Sequence, residues 1–105
     1  MNVRAMDVIV AAVPYGHSTD PRPCIVLQVL SSGAIDVAPL SSALQLFNPS
    51  MHFSIPETHP NFKTTGLNRA SYVGPKIHEV QATAILKHLG RLEGDLAKEF
   101  IDWYG

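Results

Sequence analysis

The chain has one cysteine, Cys24. No disulfide can therefore form within it, and no thiolate metal cluster can assemble from a single copy. Cys24 stands between Pro23 and Ile25 in an apolar run, so it reads as a small buried hydrophobe. A reactive thiol would need a base beside it. No apolar stretch approaches the roughly 20 residues of a membrane-spanning helix. The opening residues Met1-Asn2-Val3-Arg4-Ala5-Met6-Asp7 lack the basic region and long apolar run of a secretory signal. The cytoplasm is the expected compartment, with no membrane partner. Charge is also scarce, at 16% of residues with a formal net charge of −1. Without a global basic field, any nucleic-acid site has to be a local cluster of Arg and Lys. Repeats, low-complexity runs and linkers are absent as well.

Apolar residues make up 46% of the 105 positions, which is the composition of a folded protein and the length of one domain, residues 1–105. Met6 to Val13 is a short β-branched run halted by Pro14 and reads as a strand. The polar stretch from Pro14 to Pro21 is a surface loop. Cys24 to Leu30 and Ile35 to Ala38 are two further strands around the turn Ser31-Ser32-Gly33-Ala34. Spacing this tight favours an antiparallel hairpin, since a parallel return needs a crossover. Leu40 to Pro49 is open between a helical turn and an irregular segment. Met51 to Ile55 reads as a strand with Met51, Phe53 and Ile55 on one face. A polar connection follows to Gly66, then brief strands at Ser71 to Val73 and Ile77 to Val80.

Near the C-terminus the period changes. Ala82, Ile85, Leu86 and Leu89 lie at helical spacing with Gly90 as a stop, which predicts a helix. A second helix capped by Asp95 would carry Leu96, Phe100 and Trp103 on one stripe. Each is too short to stand alone and must pack on the strands. The expected fold is α+β: a small, mostly antiparallel β-barrel followed by C-terminal helices.

Several phrases lie in the order found in the MazF/PemK toxins. Asp7-Val8-Ile9-Val10 resembles the family's opening G-D-V-V strand, with Met6 in place of the glycine. Arg22-Pro23-Cys24-Ile25-Val26-Leu27 looks like R-P-x-L-V-L, and Val37-Ala38-Pro39-Leu40-Ser41-Ser42 is similar to V-x-P-I-T-S. Thr65-Gly66-Leu67 followed by Ser71 and Val73 resembles T-G-L…S-x-V, and Leu89-Gly90-Arg91-Leu92 the late L-G-x-L. Together they span nearly the whole chain. The resemblance implies an SH3-like barrel, a homodimer, metal-independent endoribonuclease activity on single-stranded RNA, growth inhibition, and a cognate antitoxin that blocks the site.

Metal-free RNA cleavage uses the adjacent 2′-hydroxyl as nucleophile. The protein has to supply a base, an acid and a cation or donors for the charged phosphorane. Taken alone, Arg22 reads as a solvated strand-edge cation or a partner of Asp20. The resemblance makes it the phosphate ligand, a role that a guanidinium suits because it grips two oxygens at once. Ser41 and Ser42 read as caps of the following turn. By resemblance Ser41 stands where a family threonine meets the scissile phosphate, and Ser42 joins it in RNA binding. His17, in the loop before Arg22, is the natural acid/base near neutral pH. Arg69 falls on a family Arg and is an RNA-binding candidate. Ser71 falls where certain members carry an Asp, and a serine cannot act as a carboxylate base.

No nucleotide-binding Gly-rich loop and no cofactor motif is present. His52, His59, His78 and His88 show no recognised ligand spacing, so no metal site is expected. Trp103 and Tyr104 can stack on bases but read as core beside Phe100. The alternative function is a catalytically weak or inactive barrel that binds RNA or a protein partner, and a weaker one is a homodimeric structural domain.

Overall fold

A computed structural model of the chain describes residues 2–14 and 19–105. Strands β1 (Asp7–Ala12), β2 (Pro21–Val29) and β3 (Ile35–Ser41) form an antiparallel meander at the centre. Ladders on both sides satisfy most of the backbone of a central strand, so its side chains can be buried on both faces. They are. Val8, Ile25, Ala38 and Leu40 point to one apolar cluster, and Ile9, Cys24, Val26 and Val37 to the other.

The far edge of β3 is shared by two short strands. β5 (Ser71–Val73) pairs with its end, Leu40 and Ser41, and β6 (His78–Val80) with its start, Ile35 to Val37. β4 (Phe53–Ile55) pairs with β5. On the other side β1 pairs with β7 (Ile85–Arg91). The result is a seven-stranded antiparallel sheet in the order β4-β5-β3-β2-β1-β7, with β6 attached to β3. The expected barrel is not closed. Among the described residues no ladder joins β4 to β7, and the sheet stays open between them. Register shifts in β1–β7 and β2–β3 mark bulges, which bend and twist strands locally.

One helix follows, α1 (Gly94–Tyr104), not two. The first expected helix is instead a single 3₁₀ turn, Ala82–Ala84, running into β7. The helical apolar spacing there does not form one buried stripe: Leu86 is exposed, while the half-buried Ile85 and Leu89 pack against different apolar clusters. Tertiary demand decides the outcome. β1 is buried and needs a ladder partner on its outer edge, and β7 supplies it. Gly90 does not stop a helix but pairs with Val8 inside the strand. The carboxylate of Asp7, also buried, ties the two strands together: it accepts from Arg91 Nη1 at 2.7 Å and from the Arg4 N–H at 2.9 Å, with His88 Nε2 at 3.4 Å.

α1 closes one face of the sheet. Leu96 and Phe100 are fully buried, and Phe53 meets Phe100 edge-on at 5.4 Å. Trp103 is half-buried on the same cluster, and the exposed Tyr104 leans on Phe100. Asp95 is not the cap expected of it but lies in the first turn. The Asn61 side chain, arriving from another part of the chain, accepts the Leu96 N–H at 3.4 Å instead. Met51 is likewise displaced from expectation, lying exposed in the turn before β4. Phe100→Ala should remove the contact that fixes α1 and cost about 3–5 kcal/mol, read as a fall in the denaturant midpoint with loss of helical ellipticity.

Candidate phosphate-binding cleft

At the end of the meander opposite the β2–β3 turn, β2 begins, β3 ends, and the segment Gly66–Ser71 crosses beside them. A cleft of about 550 Å³ opens there. Arg22, Ser41, Ser42 and Arg69 all line it, although they come from separate parts of the sequence. The strand register explains the meeting. Cys24 faces Pro39, so two residues outward Arg22 lies near Ser41, and Ser41 faces Tyr72 next to the Arg69 loop. His17, the remaining site candidate, lies outside the described residues.

Ser41 is half-buried and its Oγ accepts the Ala43 N–H at 3.1 Å, which shapes the turn into the 3₁₀ segment Leu44–Leu46. A hydroxyl in that arrangement still has its proton to donate. Ser42, by contrast, is exposed. Ser71 is buried, and its hydroxyl donates to the Arg69 carbonyl at 3.0 Å. It therefore braces the loop that carries Arg69 and offers the cleft no carboxylate.

The cleft has a further cation, Lys87, which sequence reasoning missed because it placed that residue in a helix. As part of β7, Lys87 sits opposite Val10 and reaches the same wall. The described lining thus carries Arg22, Arg69 and Lys87 against one carboxylate, Asp20. A chain of net charge −1 has concentrated positive charge at one place, as a local anion site requires.

The Arg69 loop is held by close backbone packing. Thr65 Oγ1 donates to the Phe62 carbonyl at 2.6 Å and accepts the Leu67 N–H at 3.1 Å, and Gly66 follows with φ 72°. Thr64 Oγ1 donates to the Arg91 carbonyl at 2.9 Å, fastening the turn to β7. The Thr-Gly and Leu-Gly phrases of the sequence meet at this contact.

A second cleft of about 370 Å³ adjoins the first and shares Arg22, Leu40 and Ser41 with it. His52, Tyr72 and His78 line it. The other two described histidines have structural partners: His59 lies 3.3 Å from Glu99, and His88 3.4 Å from Asp7. Among the described residues, no three His, Cys, Asp or Glu side chains converge as a metal site would need. No helix among them is long and apolar enough to cross a membrane.

Cys24 is buried in the second apolar cluster, with Sγ 3.4 Å from the Arg22 carbonyl. Burial pushes its thiol up from 9.0 to about 12, while the Arg22 charge pulls the other way. Between those values the unfolded chain releases the proton and the native chain keeps it. Native stability contributed by the neutral thiol is therefore present below pH 9 and lost as pH rises toward 12. At pH 8 the native thiol should be silent to an aromatic disulfide reagent and react at once on unfolding.

No protein-family model matches the chain, and a search of curated proteins finds no significant match.

Proposed function

We propose that the chain is a metal-independent endoribonuclease of the MazF/PemK toxin type, cutting single-stranded RNA through its own 2′-hydroxyl. The carrying observation is the convergence of Arg22, Ser41, Ser42 and Arg69 on one cleft, with Lys87 added by β7. Arg22 and Ser41 would hold the scissile phosphate. A guanidinium and a hydroxyl at that position stabilise the negative charge that grows on the phosphorane oxygens. Arg69, Lys87 and Ser42 would bind neighbouring phosphates. The acid/base work falls to His17 in this reading. The accompanying fold reading is an opened relative of the SH3-like barrel, and the accompanying partners are a second copy of the chain and a cognate antitoxin.

One observation favours a second reading, in which the cleft holds RNA without cutting it. Ser71 occupies the position of a family carboxylate and directs its hydroxyl back to the Arg69 carbonyl. The deciding experiment is incubation of the protein with a long unstructured RNA in excess chelator. Discrete cuts ending in 2′,3′-cyclic phosphate support the nuclease. Intact RNA bound with salt-sensitive affinity supports the second reading. RNA neither cut nor bound sinks both.

A further inference from the structure

We infer that Glu57, which lines neither cleft, is a positioning residue for Arg69: its carboxylate fixes the backbone from which that guanidinium reaches RNA. The inference rests on the RNA reading of the first cleft, in which Arg69 binds a phosphate. A long cation on a loop binds weakly unless the loop is ordered beforehand, because the ordering is otherwise subtracted from the affinity. Arg69 is exposed and belongs to no strand or helix, so its own packing cannot hold it. The order has to come from its neighbours.

One peptide unit supplies it. The carbonyl of Arg69 and the N–H of Ala70 belong to the same planar group. Ser71 Oγ donates to that carbonyl at 3.0 Å, and Glu57 Oε2 accepts that N–H at 3.1 Å. Gripped at both polar ends, the plane is held against rotation, which fixes the backbone torsions on either side of it. The bond to the carboxylate is charge-assisted and so the stronger of the two. Strand register brings Glu57 there. Ile55 of β4 faces Ser71 of β5, so two residues further on Glu57 lies across from Arg69. Pro56 has no N–H with which to extend the ladder, and the Glu57 side chain carries the contact on to Ala70. Among the described residues no ion pair joins Glu57 to Arg69. The carboxylate therefore orients the loop without neutralising the guanidinium.

The sign of the effect makes the test sharp. A negative charge acting on RNA only as a charge would weaken binding, so its removal would tighten the complex. Positioning predicts the opposite. The probe is a 2′-deoxy oligonucleotide, which lacks the attacking hydroxyl and so reports binding alone, followed by fluorescence anisotropy at several salt concentrations. Glu57→Ala should bind about tenfold more weakly than the wild type, the order of one hydrogen bond to a charged group. Glu57→Gln, whose amide oxygen still accepts the Ala70 N–H, should bind at least as tightly as the wild type. The salt slope should fall by about 0.7 in Glu57→Ala, one phosphate contact on a single strand, as it should in Arg69→Ala. In an Arg69→Ala background the Glu57→Ala change should have no further effect. Tighter binding in Glu57→Ala would overturn the inference, since the carboxylate would then act by charge alone. A full further loss in the Arg69→Ala background would overturn it as well, because Glu57 would then be acting on something other than Arg69. Unchanged binding in Glu57→Ala, beside weak binding in Arg69→Ala, would overturn it and leave the RNA reading standing. Failure of the wild type to bind would remove both.

Discussion

Arg22→Ala should lower RNA cleavage by at least about a hundredfold, the usual cost of removing one donor from a charged transition state. It should also release the growth inhibition that the proposed toxin causes when expressed. The fold should survive. Arg22 is half-buried at the outer end of β2, away from the contacts of α1, and substitutions outside the packed core typically cost little. Circular dichroism and a thermal melt close to those of the wild type would establish that the loss is chemical. Arg22→Lys separates charge from shape: an ammonium keeps the charge but cannot grip two phosphate oxygens in parallel. It should therefore recover part of the binding and little of the rate. Full activity in Arg22→Ala would remove the nuclease assignment from this cleft.

The sequence carries the centre of this molecule well and its margins poorly, for a physical reason. β1, β2 and β3 are continuous apolar runs separated by unmistakable turn chemistry, so local pattern and final structure agree. The stripe of α1 is equally plain, because Leu96 and Phe100 recur at the helical period and both end up buried. β7 is different. Its residues carry a helical period, and only the demand of β1 for a ladder partner makes it a strand, which no local window contains. The same is true of the cap on α1, where Asn61 does what Asp95 was expected to do. The site follows this division. Arg22, Ser41, Ser42 and Arg69 were legible as motif residues, and their meeting depends on strand register. Lys87 was hidden by the misread period, and the His52–Tyr72 ring contact by joining the turn before β4 to β5 with no shared motif.

Gly90→Ala should be among the most destabilising single substitutions in the chain, although it adds only one methyl group. A Cβ at Gly90 would overlap the backbone of Thr64 and Thr65, and one at Gly66 the Leu89 carbonyl. Neither neighbour is a flexible side chain that can turn away. The 3₁₀ turn Phe62–Thr65 would have to lift from β7, breaking the Thr64 hydroxyl bond to Arg91. Thr65, fully buried, would be opened to water as the turn rises. A cost of about 3 kcal/mol or more is expected, a fall of 10 °C or more in melting temperature for a domain of this size. Gly66→Ala should be worse, because its φ of 72° adds a left-handed backbone penalty to the same collision. Gly33→Ala separates the two contributions. Gly33 has φ 91° but nothing within 4 Å of an added Cβ, so only the backbone penalty of roughly 1–2 kcal/mol applies. RNA affinity should follow the collision and not the loss of stability as such. Well below its melting point, Gly90→Ala should bind RNA weakly, because the loop carrying Arg69 is shifted in the cleft that Lys87 also lines, while Gly33→Ala should bind like the wild type. A Gly90→Ala protein of unchanged stability would mean that the turn is not held to β7. One of lowered stability but full affinity would detach the Arg69 loop from the phosphate cleft.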